Sequence, residues 1–267
     1  MSMKDSVFSH LSSEYPWKDR FHFCSTIDST NDRLKHMARQ GAPHGTVLLA
    51  DHQTGGHGRM GRSFHSPQGV GIYMSCLLRP HCSPTQLMHL TCAAAESMCD
   101  AVESAAGFRP GIKWTNDLVY GKRKLGGILT ELGLNAKGGV DYAIVGIGIN
   151  CCQQLSDFIP EIREIAGSLA MVSGETIDRS RVTAAMMDSL YRMDSRLLTG
   201  KDQILDRYRL DCITIGQEIS LVRGGDIRHG KAISVDEDGA LLVAFSDGHT
   251  EAVNSGEVSV RGMYGYV

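Results

Sequence analysis

The spacing of the strands in the middle of the chain restricts the fold more than any other feature of the sequence. Several apolar, β-branched segments are joined by short turns such as YGKRK and NAKGG. Strands joined this closely run antiparallel, because a parallel connection needs a crossover of about a dozen residues or more. The sequence therefore predicts an α+β fold in which a mixed, largely antiparallel sheet has helices packed on one face. The predicted strands are TVLLA (46–50), VGIYMSCLL (70–78), GIKW (111–114), DLVY (117–120), KLGGILTEL (124–132) and DYAIVGIGIN (141–150).

Capping residues and apolar stripes indicate helices on both sides of these strands. The clearest helix signal has Ser83 as N-cap, Pro84 at the first helical position and Gln86 to complete a capping box. Each of the predicted helices ends at a glycine, the residue that helix C-termini favour. The predicted helices are DSTNDRLKHMARQG (28–41), SPTQLMHLTCAAAESMCDAVESAAG (83–107), IPEIREIAGSLAMVSG (159–174) and DRSRVTAAMMDSLYRMDSRLLTG (178–200).

Beyond Cys212 the pattern changes to short alternating strands separated by glycine and aspartate turns. Five such strands in about fifty residues predict a small SH3-like β-barrel packed on the main domain. We therefore expect a catalytic domain over residues 1–212 and a C-terminal barrel over 213–267. The predicted barrel strands are GQEISLV (216–222), GKAISV (230–235), DEDGALLVAF (236–245), GHTEAV (248–253) and GEVSV (256–260).

Composition places the chain among ordinary globular proteins. It has 267 residues, 42% of them hydrophobic and 21% charged, and a net charge of −3. This charge argues against a general binder of nucleic acids or anionic membranes, which needs a basic surface. No apolar run has the length of a signal peptide or a membrane span, so a cytoplasmic location is expected. The eight cysteines then predict buried thiols, and no metal-ligand spacing is present, so no metal site is expected.

A cluster of glycines at GGHGRMGRS (55–63) contains the spacing G-x-G-x-x-G at Gly56, Gly58 and Gly61. Glycines with this spacing bind a dinucleotide only when a strand directly precedes them and a helix begins at them. Here DHQT separates the strand from the glycines, and Ser66-Pro67 would break a helix at its first turn. The Rossmann interpretation therefore fails. A flexible surface loop and a loop that closes over a phosphate with its backbone N–H groups and arginines both remain possible.

Three further stretches carry polar side chains beside glycines. DSTN (28–31) is rich in hydroxyl and amide groups, although alone it would be read as a helix cap. KWTNDLVYGKRKLGGIL (113–129) has charges on both strands of a hairpin, which are usually solvated, but it continues into paired glycines. VGIGIN (145–150) is an apolar strand with alternate glycines and a terminal asparagine. Together these stretches describe a glycine-lined slot with cations at one end and hydrogen-bonding groups at the other.

The order of these motifs resembles the biotin–protein ligase family. STN, QTGGHGRMGR, KWTNDL, RKLGGIL and GIGIN carry the resemblance, which extends over roughly residues 22 to 262. It implies that biotin and MgATP react to biotinyl-5′-AMP and pyrophosphate. The biotinyl group then passes to one lysine of the biotin carboxyl carrier domain of a carboxylase. With only about twenty residues before the motifs, a short form without an N-terminal DNA-binding domain is expected.

The resemblance also implies roles for individual residues. The biotin-binding set is Ser29, Thr30, Asn31, Gln53, Gly56, His57, Gly58, Arg59, Lys124, Gly127, Gly146 and Gly148. The nucleotide-binding set is Arg59, Arg62, Phe64, Lys124 and Asn150, with Phe64 covering the adenine where the family usually has tryptophan. The catalytic set is Lys124, Arg59, Asp117 and Lys113, of which Lys113 and Asp117 are expected to serve the second step.

Two positions depart from the family pattern. His57 stands where the family generally has arginine or lysine, and Thr115 replaces a proline, for which only a change in backbone stiffness is expected.

Two other functions are alternatives to a biotin–protein ligase. A lipoate–protein ligase has a similar fold and chemistry, but KWTND and RKLGGIL favour biotin. A DNA-binding biotin repressor would need a helix-turn-helix of about sixty residues, so no DNA binding is expected. The chain is expected to be a monomer or a homodimer.

Overall fold

A seven-stranded sheet forms the centre of the computed structural model of the protein, which describes residues 2–223, 226–254 and 259–262. Its strand order is β1-β2-β3-β7-β6-β5-β4, and only β1 and β2 run parallel. The predicted mixed, largely antiparallel sheet is therefore confirmed. The strands are β1 (Phe21–Ile27), β2 (Thr46–Gln53), β3 (Gly71–Leu78), β4 (Gly111–Lys113), β5 (Asp117–Tyr120), β6 (Arg123–Leu134) and β7 (Val140–Asn150).

Helices cover both faces of this sheet, so the expectation of helices on one face was wrong. Val47 and Leu49 of β2 belong to the large core, whereas Leu48 between them belongs to a second, smaller apolar cluster. Successive side chains of a strand point to opposite faces, so the two clusters lie on opposite sides. The second cluster includes Leu34 and Ala38 of α2. The helices are α1 (Met3–Ser9), α2 (Thr30–Arg39), α3 (Leu90–Ala106), α4 (Leu169–Ser173), α5 (Arg179–Arg196) and α6 (Lys201–Asp211).

The predicted helix over 83–107 is divided in the structure. The capping box of Ser83 and Gln86 is present, but it caps a short 3-10 turn, Pro84–Leu87. His89 then donates from its ring Nε2 to the carbonyl oxygen of Leu197 at 2.9 Å, and α3 begins only at the following residue. A contact with the end of a distant helix therefore sets the start of α3.

The predicted helix over 159–174 was largely wrong. The N–H of Lys124 donates to Ile165 O at 2.6 Å, and the N–H of Gly167 donates to Lys124 O at 2.9 Å. The backbone of this segment is thus used beside β6, and α4 occupies only the last five helical residues before Gly174. The elements α1, β1 and α6 were not predicted.

A second, five-stranded antiparallel sheet has the order β11-β10-β9-β8-β12. It confirms the expected small C-terminal β-unit. Of the predicted strand GEVSV, residues 256–258 lie outside the described residues. The strands are β8 (Glu218–Arg223), β9 (Asp226–Val235), β10 (Leu241–Ala244), β11 (Thr250–Val253) and β12 (Ser259–Gly262).

Hydrogen bonds join the second sheet to the main part of the chain. The indole N–H of Trp114, which is 4% exposed, donates to Gly239 O at 3.0 Å. Arg209 of α6 donates from Nε to Val235 O at 2.7 Å. The KWTND segment is therefore packed against the turn between β9 and β10. None of the helices in the described ranges has the length and apolar character needed to cross a membrane.

Candidate active site

A cavity of about 700 Å³ opens on the face of the large sheet that α2 partly covers. It is bordered by every site residue predicted from the sequence except Gly56. The predicted residues at its walls are Ser29, Thr30, Asn31, Gln53, His57, Gly58, Arg59, Arg62, Phe64, Lys113, Asp117, Lys124, Gly127, Gly146, Gly148 and Asn150. The structure thus brings together motifs that are more than a hundred residues apart in the chain.

Glycines of β6 and β7 form the floor of the cavity. Gly127 lies directly opposite Gly148 in the antiparallel pairing of the two strands. A Cβ atom on Gly148 would lie 2.5 Å from the ring of Phe64, and one on Gly146 would lie 2.0 Å from Asn31 Oδ1. Contacts this short cannot be made by a side chain. These two glycines therefore allow Phe64 and Asn31 to lie directly against the sheet.

One end of the cavity is lined by hydrogen-bonding groups at the start of α2. Ser29 is the N-cap, and its hydroxyl oxygen accepts from the N–H of Asp32 at 3.4 Å. Gln53, at the end of β2, accepts through Oε1 from the N–H of Thr30 at 2.8 Å and from its hydroxyl at 3.0 Å. The need to cap a helix and the end of an adjacent strand therefore place these polar side chains together.

The other end carries cations close to carboxylate and amide oxygens. Lys124 Nζ donates to Asp117 Oδ1 at 2.6 Å, and both side chains are mostly buried. Arg59 Nη1 donates to Asn116 Oδ1 at 2.8 Å, and Asn116 Nδ2 donates to Asp117 Oδ1 at 3.1 Å. Burial lowers the pKa of the Arg59 guanidinium from its usual value, against the opposing effect of Asp117. The hairpin β5–β6 and the glycine loop thus hold two cations at one place.

The glycine loop folds back on itself in place of forming a helix. The N–H of Gly58 donates to Arg62 O at 2.7 Å, and the N–H of Phe64 donates to Gly56 O at 2.9 Å. Met60 has a positive φ of 57°, which is uncommon for a residue with a side chain. These bonds and this turn confirm that the G-x-G-x-x-G spacing does not open a Rossmann helix here.

Gly56 and His57, neighbours in this loop, have different surroundings. A Cβ atom on Gly56 would lie 2.6 Å from Ser66 Oγ, so Gly56 is needed for packing behind the loop and does not border the cavity. The ring of His57 borders the cavity and has its Nδ1 3.2 Å from Gly55 O and 3.8 Å from Asp32 Oδ2. Its side chain therefore faces the site and the start of α2.

Lys113 and Asn150 lie where their strands end at the cavity. Lys113 is paired in register with Asp117 across β4 and β5. Asn150 Nδ2 donates to Gly167 O at 2.9 Å and to Lys124 O at 3.3 Å. The amide hydrogens of Asn150 are thus used to hold the end of β7 to the backbone near Lys124.

Sequence reasoning missed an apolar wall of the cavity and two polar residues. The wall consists of Phe158 and, from the segment predicted to be a helix, Ile162, Ile165 and Ala166. The signal available was the apolar side chains of Phe158, Ile162 and Ile165, but only the backbone pairing of that segment with β6 directs it to the site. The missed polar residues are Asn116, which borders the cavity, and Ser75, whose hydroxyl contacts Thr30.

Thr115 stands in the family motif where proline is usual. The peptide bond between Trp114 and Thr115 is cis. The Thr115 side chain is buried, and its hydroxyl oxygen lies 3.7 Å from Cys92 Sγ. The carbonyl oxygen of Thr115 accepts from the Tyr208 hydroxyl at 3.1 Å, so α6 contacts this segment directly.

Comparison with known proteins supports the same interpretation. The profile of the biotin/lipoate A/B protein ligase family matches residues 23–150, and that of the biotin protein ligase C-terminal domain matches 214–261. The bifunctional ligase/repressor BirA of Bacillus spizizenii is 37% identical over 83% of this chain and 68% of its own length. The biotin–[acetyl-CoA-carboxylase] ligase of Mycobacterium tuberculosis is 30% identical over 86% of this chain and 85% of its own length.

Solved structures agree with the sequence relatives. The biotin protein ligase from Aquifex aeolicus in complex with biotin and ATP superposes with a TM-score of 0.77 and 29% identity. The similarity covers 91% of this chain and 98% of that one. Sequence, fold and cavity therefore agree, and the chain belongs to the biotin protein ligase family.

Proposed function

We propose that this protein is an ATP-dependent biotin–protein ligase that forms biotinyl-5′-AMP and transfers biotin to a carrier domain. In the first step, a carboxylate oxygen of biotin attacks the α-phosphorus of ATP and pyrophosphate leaves. In the second step, the neutral amine of the acceptor lysine attacks the acyl carbonyl and AMP leaves. The observation that carries this proposal is the glycine-floored cavity with hydroxyl and amide groups at one end and the Lys124–Asp117 pair at the other.

The polar end suits the ureido ring of biotin. The Thr30 N–H and hydroxyl both donate to Gln53 Oε1, so the Thr30 oxygen offers a lone pair to a ligand N–H. The Ser29 hydroxyl accepts from a backbone N–H and keeps its own proton for a ligand oxygen. A cyclic urea supplies both an N–H and a carbonyl oxygen. The dithiolane ring of lipoate supplies neither, so the same groups would be left unpaired with lipoate.

The cationic end suits the first chemical step. Negative charge accumulates on the α-phosphate as the carboxylate attacks, and fixed cations lower this barrier. Lys124 Nζ is held within 2.6 Å of Asp117 Oδ1, and Arg59 is held by Asn116, so neither cation needs to be ordered during the reaction. We assign charge stabilisation to Lys124 and Arg59.

Asp117 is suited to the second step. An acceptor lysine must lose a proton before it can attack, and a carboxylate at the site can receive or orient that proton. Asp117 is mostly buried and already accepts from Lys124 and Asn116, which hold its position. Lys113, in register with Asp117, borders the same end of the cavity. We assign both residues to acceptor transfer.

The nucleotide fits between Phe64 and the apolar wall. The Phe64 ring lies over Gly148, and the wall contributed by residues 158–166 faces the same cavity. Arg62 and Asn150 border it as candidates for the phosphate and the nucleoside. Mg²⁺ enters with ATP as part of the substrate. Acyl adenylates hydrolyse in water, so a loop and an apolar wall around the intermediate protect it.

The partner in this proposal is the biotin carboxyl carrier domain of a biotin-dependent carboxylase. We propose further that residues 1–212 form the catalytic domain and residues 213–267 support it, and that the protein acts in the cytoplasm. Trp114, next to the proposed transfer residues, is hydrogen-bonded to the second sheet. Because Trp114 also borders the cavity, the C-terminal unit contacts a residue of the site directly.

The experiment is to measure pyrophosphate release from MgATP with biotin or with lipoate as the only acid. We expect release with biotin and at most background release with lipoate. Equal or greater release with lipoate would reject biotin as the substrate. A matched variant, Gln53→Ala, removes the acceptor of both Thr30 hydrogen bonds and should raise the KM for biotin more than the KM for ATP.

A further inference from the structure

Ser75 is a buried hydroxyl beneath the polar end of the cavity. It lies on β3, directly opposite Gly146 of β7, and is 0% exposed. Its hydroxyl oxygen is 2.6 Å from Asn31 Oδ1 and 2.8 Å from Thr30 Oγ1, so its single proton is shared between these two acceptors. Ser75 itself does not border the cavity, so it contacts residues of the site without reaching a ligand.

The Asn31 side chain is held by hydrogen bonds at both its amide nitrogen and its amide oxygen. Its Nδ2 donates to Glu131 Oε2 at 2.9 Å and to Leu129 O at 3.3 Å, which uses both amide hydrogens. Its Oδ1 accepts from Ser75 and fills the place where Gly146 has no side chain. Asn31 therefore has no N–H left for a ligand, although it borders the cavity.

Thr30 completes the chain of bonds. Its hydroxyl proton is directed to Gln53 Oε1 at 3.0 Å, and its oxygen receives the Ser75 hydroxyl. Both partners of the Thr30 hydroxyl thus come from the protein and are themselves buried or hydrogen-bonded. A hydroxyl with its proton committed acts as an acceptor toward a ligand.

We propose that Ser75 and Asn31 are positioning residues that fix the Thr30 hydroxyl as an acceptor for a ligand N–H, an inference that rests on the proposed function. Ser75 sets the hydroxyl orientation directly, and Asn31 holds Ser75 in place through the gap at Gly146. Groups whose rotamers are fixed before binding do not have to be ordered by the ligand. The arrangement therefore favours a urea over any ring without an N–H.

The test is the affinity of Ser75→Ala for biotin. Loss of one hydrogen bond and its ordering effect should raise the Kd for biotin about fivefold to tenfold. The KM for ATP and the kcat at saturating biotin should stay within about twofold of the wild type. Ser97→Ala is the matched control, because Ser97 is a buried serine on α3 whose hydroxyl has no hydrogen-bond partner among the described residues. It should leave the Kd for biotin unchanged.

A double-mutant cycle separates positioning from a purely structural role. If Ser75 acts through Thr30, adding Ser75→Ala to Thr30→Ala should change the Kd for biotin by less than about twofold. Full additivity of the two effects, or a Ser75→Ala variant that is less stable yet binds biotin normally, would overturn the proposal. Ser75→Cys keeps the shape with a weaker donor and should give an intermediate Kd, should the alanine variant fail to fold. If the wild type itself bound no biotin, the proposed function would fail first.

Discussion

At the residue scale, Lys124 shows what the sequence motif alone could not reveal. The motif places Lys124 and Asp117 on adjacent strands, but solvated charges on a hairpin would satisfy the same pattern. In the structure they form a 2.6 Å ion pair at the edge of a cavity. Arg59, from the glycine loop, joins this pair through Asn116, the residue before Asp117. We therefore infer a reactive centre from the proximity of these four side chains, and the motif alone would not support that inference.

Lys124→Ala is expected to abolish most adenylate formation without unfolding the protein. Removing one donor from a site of developing charge typically lowers turnover roughly a hundredfold to a thousandfold. Biotin-dependent pyrophosphate release measures this step. Lys122→Ala is the matched control, since Lys122 is an exposed lysine on the turn before β6. Release by Lys124→Ala within about tenfold of the wild type would reject the assignment.

His57→Arg is expected to make the enzyme retain its adenylate longer. The ring of His57 faces the cavity, where an arginine would add a permanently charged donor worth about 1.5–3 kcal/mol. The rate at which biotinyl-AMP dissociates, measured after rapid dilution, should then fall about tenfold to a hundredfold. His22→Arg, at an exposed position on β1, should not change it. Equal escape rates for the wild type and His57→Arg would show that only the backbone of residue 57 matters.

Most of the site residues could be predicted, but their individual tasks could not. Local motifs identified the residues at the cavity wall because glycines, caps and charges leave short-range patterns. Asn31 illustrates the limit, because its bonds to Ser75 and Glu131 connect residues about 44 and 100 positions apart. Gly56 is a second example, since its packing against Ser66 depends on how the loop folds. No spacing rule contains such contacts.

At the scale of elements, long-range backbone contacts explain the errors in the predicted helices. Residues 159–174 have an apolar pattern and good terminal signals, yet their backbone pairs with Lys124. Helix signals are local, and tertiary pairing overrides them. The edge strand β1 was missed for a similar reason. Its alternation is weak, because Phe21 is buried whereas Phe23, on the same face of the strand, is exposed.

The start of α3 should respond to pH through His89. Burial lowers the pKa of His89 from 6.5, so the folded protein binds this proton less readily than the unfolded chain. The free energy of unfolding should therefore fall as the pH drops below about 6.5. His89→Gln keeps a donor for Leu197 O and should show a shallower fall.

Urea denaturation at about pH 7.5 and about pH 5.5 measures the effect. His22→Gln, which changes an exposed histidine, should keep the pH dependence of the wild type. If His89→Gln lost as much stability as the wild type over this interval, burial of His89 would not be the cause.

At the scale of the whole molecule, the chain forms two sheets, which are joined by hydrogen bonds from Trp114 of the KWTND segment and from Arg209 of α6. The sequence predicted both, because strand-and-turn spacing distinguishes a long antiparallel sheet from a series of short strands. Placement of α2 on the opposite face was not predicted. The placement of α2 depends on which side chains of distant strands share a face of the sheet, and the sequence does not contain this information. The placement is important for the site, because the cavity lies beside α2 on the same face of the sheet.

Truncation after residue 213 is expected to impair transfer at least as much as adenylation. It would expose Trp114 and remove the acceptor of its indole N–H. The measurement compares pyrophosphate release with biotinylation of a carrier domain, and circular dichroism checks the fold. Lys201→Ala removes only the peripheral ion pair with Asp238 and should be nearly neutral. A folded truncated protein with the normal transfer rate would show that the second sheet has another purpose.

Biotin ligase activity is tested by the intact mass of a biotin carboxyl carrier domain incubated with the enzyme, MgATP and biotin. We expect the addition of one biotinyl group at the acceptor lysine. The addition should require ATP and should be strongly reduced with Lys124→Ala. An unmodified carrier domain, under conditions in which an established biotin ligase modifies it fully, would contradict the proposed activity.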